Sequence, residues 1–253
     1  RVTVPLKFAI GTGGTLFAAS YLASASPSLS GYAVQRLGAS PWRSERVRSF
    51  FQSGNEYTFY ESWFPTGSSF QIPSWRYSPT PASIEALETD AAGNVYALFR
   101  QQIQANPSVT SQHALLVKYN ASGSVAWVRT VPDVETHNSF FGTPTLVKMA
   151  WLADGSLGLL FRYAGSYLGG SGSSVETVMT VFETDGDMRY LRPFGVTDIT
   201  SPAPTDFASS PVDFAGDAAG NVFIASNETG RFTGQASGGH RIIRKLSPLG
   251  VTL

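Results

Sequence analysis

The heptapeptide "DAAGNVY" at Asp90 to Tyr96 returns as "DAAGNVF" at Asp217 to Phe223, half a chain later. In such a stretch an Asp side chain bonds to the backbone two residues on, and Gly tolerates the positive φ that a tight hairpin demands. The flanks are short apolar and β-branched runs, the signature of strands rather than helices. Asp90, Asp154 and Asp217 are therefore read as turn residues and not as metal ligands.

Working outward from the turn, the chain aligns on itself four times. Repeat two runs "SIEALETDAAGNVYALF", a polar loop, then "HALLVKYNASGSVAWVRTV"; repeat four runs "PVDFAGDAAGNVFIAS", a polar loop, then "HRIIRKLSPLGVTL". Repeat three reads "TLVKMAWLADGSLGLLF" and "ETVMTVFETDGDMRYLR", and the divergent repeat one reads "PLKFAIGTGGTLFAAS" and "YAVQRLGASPWRSERV". On propensity alone Ser83 to Ala92 would pass as a short helix. Its counterparts would not, so the repeat overrides local preference and predicts a strand.

Two hairpins per repeat, hence four strands about every 60 residues, is the pattern of β-propeller blades. The string D-x-x-G-N-V-Y, polar loop, A-L-L-V-K-Y-N-x-S-G-S-V-x-W resembles the bacterial β-propeller repeats of large secreted or envelope proteins. That resemblance implies a propeller fold and a non-catalytic role, and brings no catalytic residues with it. A basic residue on the third strand recurs as Arg36, Lys118 and Lys245, but repeat three has Val181, so no basic ring is expected. The expected fold is all-β: a β-propeller of four-stranded antiparallel blades with four recognisable repeats, either a closed small propeller or part of a larger ring. It forms a single domain over 1–253, with repeats at about 6–51, 83–131, 144–194 and 211–253 and an insertion at 52–82.

Composition agrees with many short strands. Charged residues are 14% of the 253, aromatics 13%, and there are 25 glycines and 15 prolines, where long salt-bridged helices would need about a quarter charged. Formal net charge is zero and no basic run occurs, which removes the electrostatic footprint of a nucleic-acid binder. No apolar stretch approaches the roughly 18 residues of a membrane span. Without cysteine there are no disulfides, thiol nucleophiles or thiolate metal sites. Because the chain opens at Arg1 with no signal peptide, it is expected to be a mature form or an excerpt.

In antiparallel blades the first–second and third–fourth strand turns share one face, and the other connections share the opposite face. The first face receives "DAAGN", "NASGS" and "TDGD". The second receives every long connection: Leu22 to Gly31, Gln102 to Gln112, Pro132 to Pro144, Ala164 to Ser174, Gly195 to Pro211 and Ser226 to Gly239. Function in rigid scaffolds concentrates on such loops. The insertion from Phe51 to Ser83 is dense in aromatics, and Tyr60, Trp63, Phe70, Trp75 and Tyr77 are its candidate binding residues. Packing of an extra hairpin is the plain reading; an exposed aromatic platform for a sugar or a protein is the sharper one.

Catalytic signals are weak. His113 and His240 share a register because the repeats are duplicates, and His137 near Asp133 and Glu135 reads as a solvated loop histidine. "GTGG" (Gly11 to Gly14) is a turn without the Lys-Ser or Lys-Thr of a phosphate loop, and "DGD" (Asp185 to Asp187) lacks the further ligands of a calcium loop. Asp133, Glu135, Asp198 and Asp206 are too scattered for a glycosidase or lyase pair. No catalytic residue, metal or cofactor is assigned. The expected function is a non-catalytic extracellular or envelope module for protein interaction or structural assembly, whose partner is another protein or copies of itself. The alternative is a lectin-like module binding a glycan through the insertion, and the third reading is a propeller glycosidase or lyase.

Closure of the ring stays open at the level of sequence. Repeat four stops one residue before the position of Trp127, and "RVTVP" (Arg1 to Pro5) echoes "VRTVP" (Val128 to Pro132), so the N-terminus is a candidate outer strand. Against it, crossing three strand spacings needs roughly 14 Å, while the short link to Lys7 spans at most roughly 10 Å. The alternative is a window cut from a longer array.

Overall fold

The computed structural model describes residues 3–22, 31–37, 52–53, 56–57, 83–106, 109–121, 125–131, 144–164, 175–194, 208–230 and 238–253. Apart from one 3-10 turn at Thr12–Gly14, the elements described are all strands, and the protein is all-β. No helix among them is long and apolar enough to cross a membrane. The chain divides into two compact units, Arg1–Asp133 and Val134–Leu253.

In the first unit, β1 (Thr3–Ile10), β2 (Leu16–Leu22) and β3 (Gly31–Leu37) form an antiparallel meander. A hairpin of β4 (Gln52–Ser53) and β5 (Glu56–Tyr57) opens the insertion. Then β6 (Ser83–Thr89), β7 (Val95–Asn106), β8 (Val109–Tyr119) and β9 (Val125–Val131) make a four-stranded meander. In the second unit β10 (Pro144–Trp151), β11 (Leu157–Ala164), β12 (Val175–Phe182) and β13 (Met188–Phe194) repeat that meander. It is followed by β14 (Ala208–Gly216), β15 (Val222–Gly230) and β16 (Gly238–Leu246). Beyond β16 only the Leu246–Thr252 bridge marks the place of a fourth strand. A single parallel bridge, Val175 to Ala208, joins β12 to β14 just past the end of β13.

The repeat is a repeat of backbone hydrogen bonds. Turns starting at Gly11, Asp90, Leu152, Glu183, Asp217 and Ser247 share one geometry. The first residue's N–H donates to the carbonyl four residues on at 2.7–3.1 Å, and the fourth residue's N–H donates back to the first carbonyl at 2.9–3.2 Å. The fourth residue is always glycine, with φ between 76 and 93°, a region closed to most side chains. In repeats two and four the Asp closes the turn as the sequence predicts. Asp90 Oδ1 accepts from Ala92 N and Asn94 N at 3.0 and 2.9 Å, and Asp217 Oδ1 from Ala219 N and Asn221 N at the same distances.

A second periodic feature has no sequence signature. Each repeat's first strand carries one extra residue against its second strand: Leu6, Glu85, Val147 and Val212. All four sit eight residues before the glycine of the first turn. A bulge reverses the inside–outside phase of what precedes it, so all four repeats reset the pleat at one point.

Within each unit two sheets pack face to face. The front of repeat one (Ala9, Phe17, Ala19) meets the back of repeat two (Leu87, Val95, Ala97, Phe99, Val117, Tyr119). In the second unit the front of repeat three (Leu160, Met179, Val181, Phe194) meets the back of repeat four (Phe214, Val222, Ile224, Leu246). Large residues rest on glycines there. A Cβ on Gly158 would stand 2.7 Å from the Phe214 ring, and one on Gly216 would stand 2.7 Å from Leu152. Lys148 Nζ straps the pair, donating to Asp213 Oδ1 at 2.6 Å and to the Phe214 carbonyl at 3.0 Å.

Three readings are settled or corrected at this level. Ser83 to Thr89 is a strand, with Ile84 and Leu87 buried. The stretch Gln102 to Gln112, expected as a loop, is mostly a hairpin arm, with Gln102 opposite Gln112 and Gln104 opposite Thr110. Likewise Ser226 to Gly230 pairs with Gly238 to Ile242. Polar residues can continue a ladder, because a ladder needs only backbone partners. The candidate outer strand at the N-terminus is also corrected: Thr3, Val4 and Pro5 pair with Leu22, Tyr21 and Ser20 as part of β1.

Candidate functional site

Strand direction sorts the connections of each unit as expected. In the second unit the short turns 152–156, 183–187, 217–221 and 247–251 lie at one end. Segments 165–174, 195–207 and 231–237 leave from the other, between β11 and β12, β13 and β14, and β15 and β16. That loop-bearing end is where the most unusual side chains of the described structure gather.

Glu228, near the end of β15, is fully buried. Arg244 on β16 reaches back along the ladder and grips both its oxygens, Nη1 on Oε1 and Nη2 on Oε2, the latter at 2.7 Å. Oε1 also accepts from the Ser226 hydroxyl at 2.8 Å and the Ser209 hydroxyl at 3.2 Å. Ser209 in turn shares a hydrogen bond of 2.7 Å with Thr177 on β12 of the preceding repeat. The Arg244 guanidinium stands 5.4 Å from the Phe194 ring centroid. Five polar side chains from β12, β14, β15 and β16 are thus linked, and Thr177, Ser209 and Ser226 are buried like Glu228.

Repetition makes the site conspicuous. By register, Ser226 and Arg244 occupy the positions of Phe99 and Val117 in repeat two, where both are apolar core. Repeat four has exchanged that core for a serine and an arginine, and the arginine pairs with Glu228, which stands where repeat two has Gln101. A carboxylate with a bidentate guanidinium and two hydroxyls is tied down, so the arrangement fits holding and not proton transfer. Its effect is to fix the strand ends from which the three long segments leave.

The recurring basic residues have a simpler explanation. Arg36, Lys118 and Lys245 lie directly across the ladder from Phe17, Tyr96 and Phe223. Lys118 sits over the Tyr96 ring at 5.3 Å and Lys245 over Phe223 at 5.5 Å. Val181, the exception, faces Gly158, so aromatic and base changed together. Tyr96 is buried, meets Trp127 edge-on at 5.7 Å and donates to Asp90 Oδ2 at 3.2 Å. Burial, with Asp90 beside it, pushes its hydroxyl pKa well above the usual tyrosine value.

The candidate binding residues Tyr60, Trp63, Phe70, Trp75 and Tyr77 lie outside the described residues, as do Asp133, Glu135, His137, Asp198 and Asp206. His113 and His240 do share a register, opposite Gln101 and Glu228. Sequence reading missed the Glu228–Arg244 pair, although a signal existed: aligned on repeat two, repeat four replaces Phe99 and Val117 with Ser and Arg.

No family profile and no curated protein sequence matches the chain. Among solved structures, a hypothetical protein from Leishmania major is similar over 99% of this chain and 87% of its own, at 10% identity and a TM-score of 0.26. So loose an overlap carries no argument about fold or function.

Proposed function

We propose that the chain is a non-catalytic β-propeller module of the cell exterior or envelope that holds a protein partner on its loop-bearing end. The observation that carries this reading is the buried Glu228–Arg244 network, in which Ser226 and Arg244 stand where repeat two has apolar core, at the strand ends from which three long segments leave. A buried ion pair is weak evidence for stability but a good means of fixing one geometry. Such rigidity favours binding, because ordering a surface in advance lowers what association must immobilise. The propeller itself is supported by four repeats with identical turns and bulges. The setting outside the cytoplasm rests on low charge and on the resemblance of the repeats.

The test replaces 231–237 with a two-residue turn, confirms folding by circular dichroism, and compares in-place cross-linking of both chains in the native cell. A defined partner lost in the shortened chain supports the reading; hydrolysis or elimination of a polysaccharide by the purified protein would replace it with an enzyme. The aromatic density of 51–83 favours a second reading, a glycan-binding module. A glycan array comparing the chain with a Trp63→Ala, Trp75→Ala, Tyr77→Ala variant tests it: a sugar signal lost in the variant makes the insertion a lectin site.

A further inference from the structure

Four positions of repeat four depart together from repeats two and three, and all four lie in one hydrogen-bonded chain. Counted from the bulge, Ser209 stands where those repeats have Ala82 and Pro144. Counted along the ladders, Ser226 stands where they have Phe99 and Phe161, Glu228 where they have Gln101 and Tyr163, and Arg244 where they have Val117 and Thr180. The chain also crosses a repeat boundary, because Ser209 bonds to Thr177 of repeat three.

Chemistry sets the direction of each bond. An ionised carboxylate only accepts, and a hydroxyl has one proton to give. Ser209 gives its proton to Glu228 Oε1 at 3.2 Å, so in its 2.7 Å contact with Thr177 it accepts and Thr177 donates. Ser226 and Arg244 donate to Glu228 as well. Every bond therefore points toward one carboxylate of repeat four, and the outermost donor belongs to repeat three. The backbone runs alongside, with Val175 bridged to Ala208. Segments 165–174 and 195–207 end at these starts of β12 and β14, and Glu228 lies two residues before the end of β15, where 231–237 begins.

Strand ends ordinarily fray one by one at little cost. Here the opening of one end leaves buried polar groups of the next without partners, and a buried group so stranded is costly. We propose that the starts of β12 and β14 and the end of β15 open and close as one cooperative unit, joined across the repeat boundary by the Thr177–Ser209 hydrogen bond. A partner that orders one of the three segments then steadies the strand ends of the other two. Thr177 is a positioning residue that acts on the network through Ser209. This inference deepens the reading of the loop-bearing end as the holding surface and rests on it.

The test is amide hydrogen exchange on the purified chain, read peptide by peptide by mass spectrometry. Ser226→Ala removes one donor to Glu228 within repeat four. It should speed exchange about tenfold at 226–230 and also at Val175 to Val178 of the neighbouring repeat. Thr177→Val keeps the side-chain shape and removes the donor that links the repeats. In that background Ser226→Ala should still speed 226–230 but leave Val175 to Val178 at the rate of Thr177→Val alone, while Thr177→Ser should keep the response. Ser209 retains its bond to Glu228 in Thr177→Val, so this variant should melt close to the parent, which separates lost coupling from lost folding. The proposal is overturned if Val175 to Val178 ignores Ser226→Ala in the parent, or responds equally with and without the Thr177 hydroxyl. An equal rise at the opposite end of the same repeat, 183–189, overturns it too. No partner is present in the measurement, so the coupling can fail while the partner-holding reading stands, and cross-linking can fail while the coupling stands.

Discussion

Replacing Glu228 with Leu removes the acceptor at the centre of the network and takes the bidentate carboxylate from Arg244, whose side chain is 11% exposed. Breaking a buried pair from one side costs about 3–5 kcal/mol, because the surviving charge keeps its desolvation without compensation. Here the Phe194 ring and the residual exposure soften that loss, which places the expected destabilisation near the lower bound, about 3 kcal/mol. At 2–4 °C per kcal/mol for a protein of this size, the Tm falls by about 6–12 °C. Removing both charges, with Glu228→Leu and Arg244→Met together, should recover about 2 kcal/mol of the single variant's loss, since neither partner is then stranded. Urea unfolding at pH 7, followed by fluorescence and circular dichroism, measures the parent, Glu228→Leu, Arg244→Met and the double variant. A double variant as unstable as the sum of the two singles would refute the coupling, and with it the claim that the pair fixes the loop-bearing end.

Other expectations follow from particular contacts. Gly158→Ala places a methyl 2.7 Å from the Phe214 ring and 2.9 Å from Met179 Cε, an overpacking of about 1–3 kcal/mol that Phe214→Leu should partly relieve in a double-variant melt. Tyr96→Phe should cost about 1 kcal/mol or less, because repeat four already carries Phe223 at that position beneath Lys245; a larger loss in urea unfolding would show that the Asp90 bond matters more than the ring. Asp213 is held below the usual carboxylate range chiefly by the hydrogen bond from Lys148, and Asp217 chiefly by that from the Asn221 amide. A lowered folded-state value gives stability that is present above the unfolded pKa of about 3.9 and lost as pH falls through the folded value. The parent should therefore lose stability below about pH 4 faster than an Asp213→Asn, Asp217→Asn variant, and parallel curves in acid titrations of Tm would contradict the assignment.

The hairpins were legible because their turns are written in residues that have one use. Asp90 and Asp217 cap the same backbone bonds, and the glycines at 93, 155, 186 and 220 stand where φ is positive. Ser83 to Thr89 was legible only by comparison: its Glu and Ala residues favour helix, and the pairing with β7 decides against them. The lengths of β7 and β8 were not legible, since the polar run from Gln102 to Gln112 reads as a loop although its backbone pairs strand to strand. The Glu228–Arg244 pair escaped because its partners lie sixteen residues apart on two strands, and nothing local in "SNETG" or "HRIIRKL" states that they are buried together. The bulges escaped for another reason: Leu6, Glu85, Val147 and Val212 include no turn or cap residue that would mark the extra backbone unit.

The bulge has a practical side. Its residue differs in kind from repeat to repeat, while its presence is obligatory: deleting Val147 would slide Pro144 to Leu146 by one residue and turn their side chains to the opposite surface. Anyone building a consensus version of this repeat, or choosing where to attach a fluorophore, has Val212, which is exposed, as the bulge position open to change, whereas Val147 packs on the core and Glu85 pairs with Arg100. Comparison of further repeats should likewise be anchored on the glycine and counted back eight, because an alignment that closes the extra residue as a gap would exchange inside for outside in everything before it.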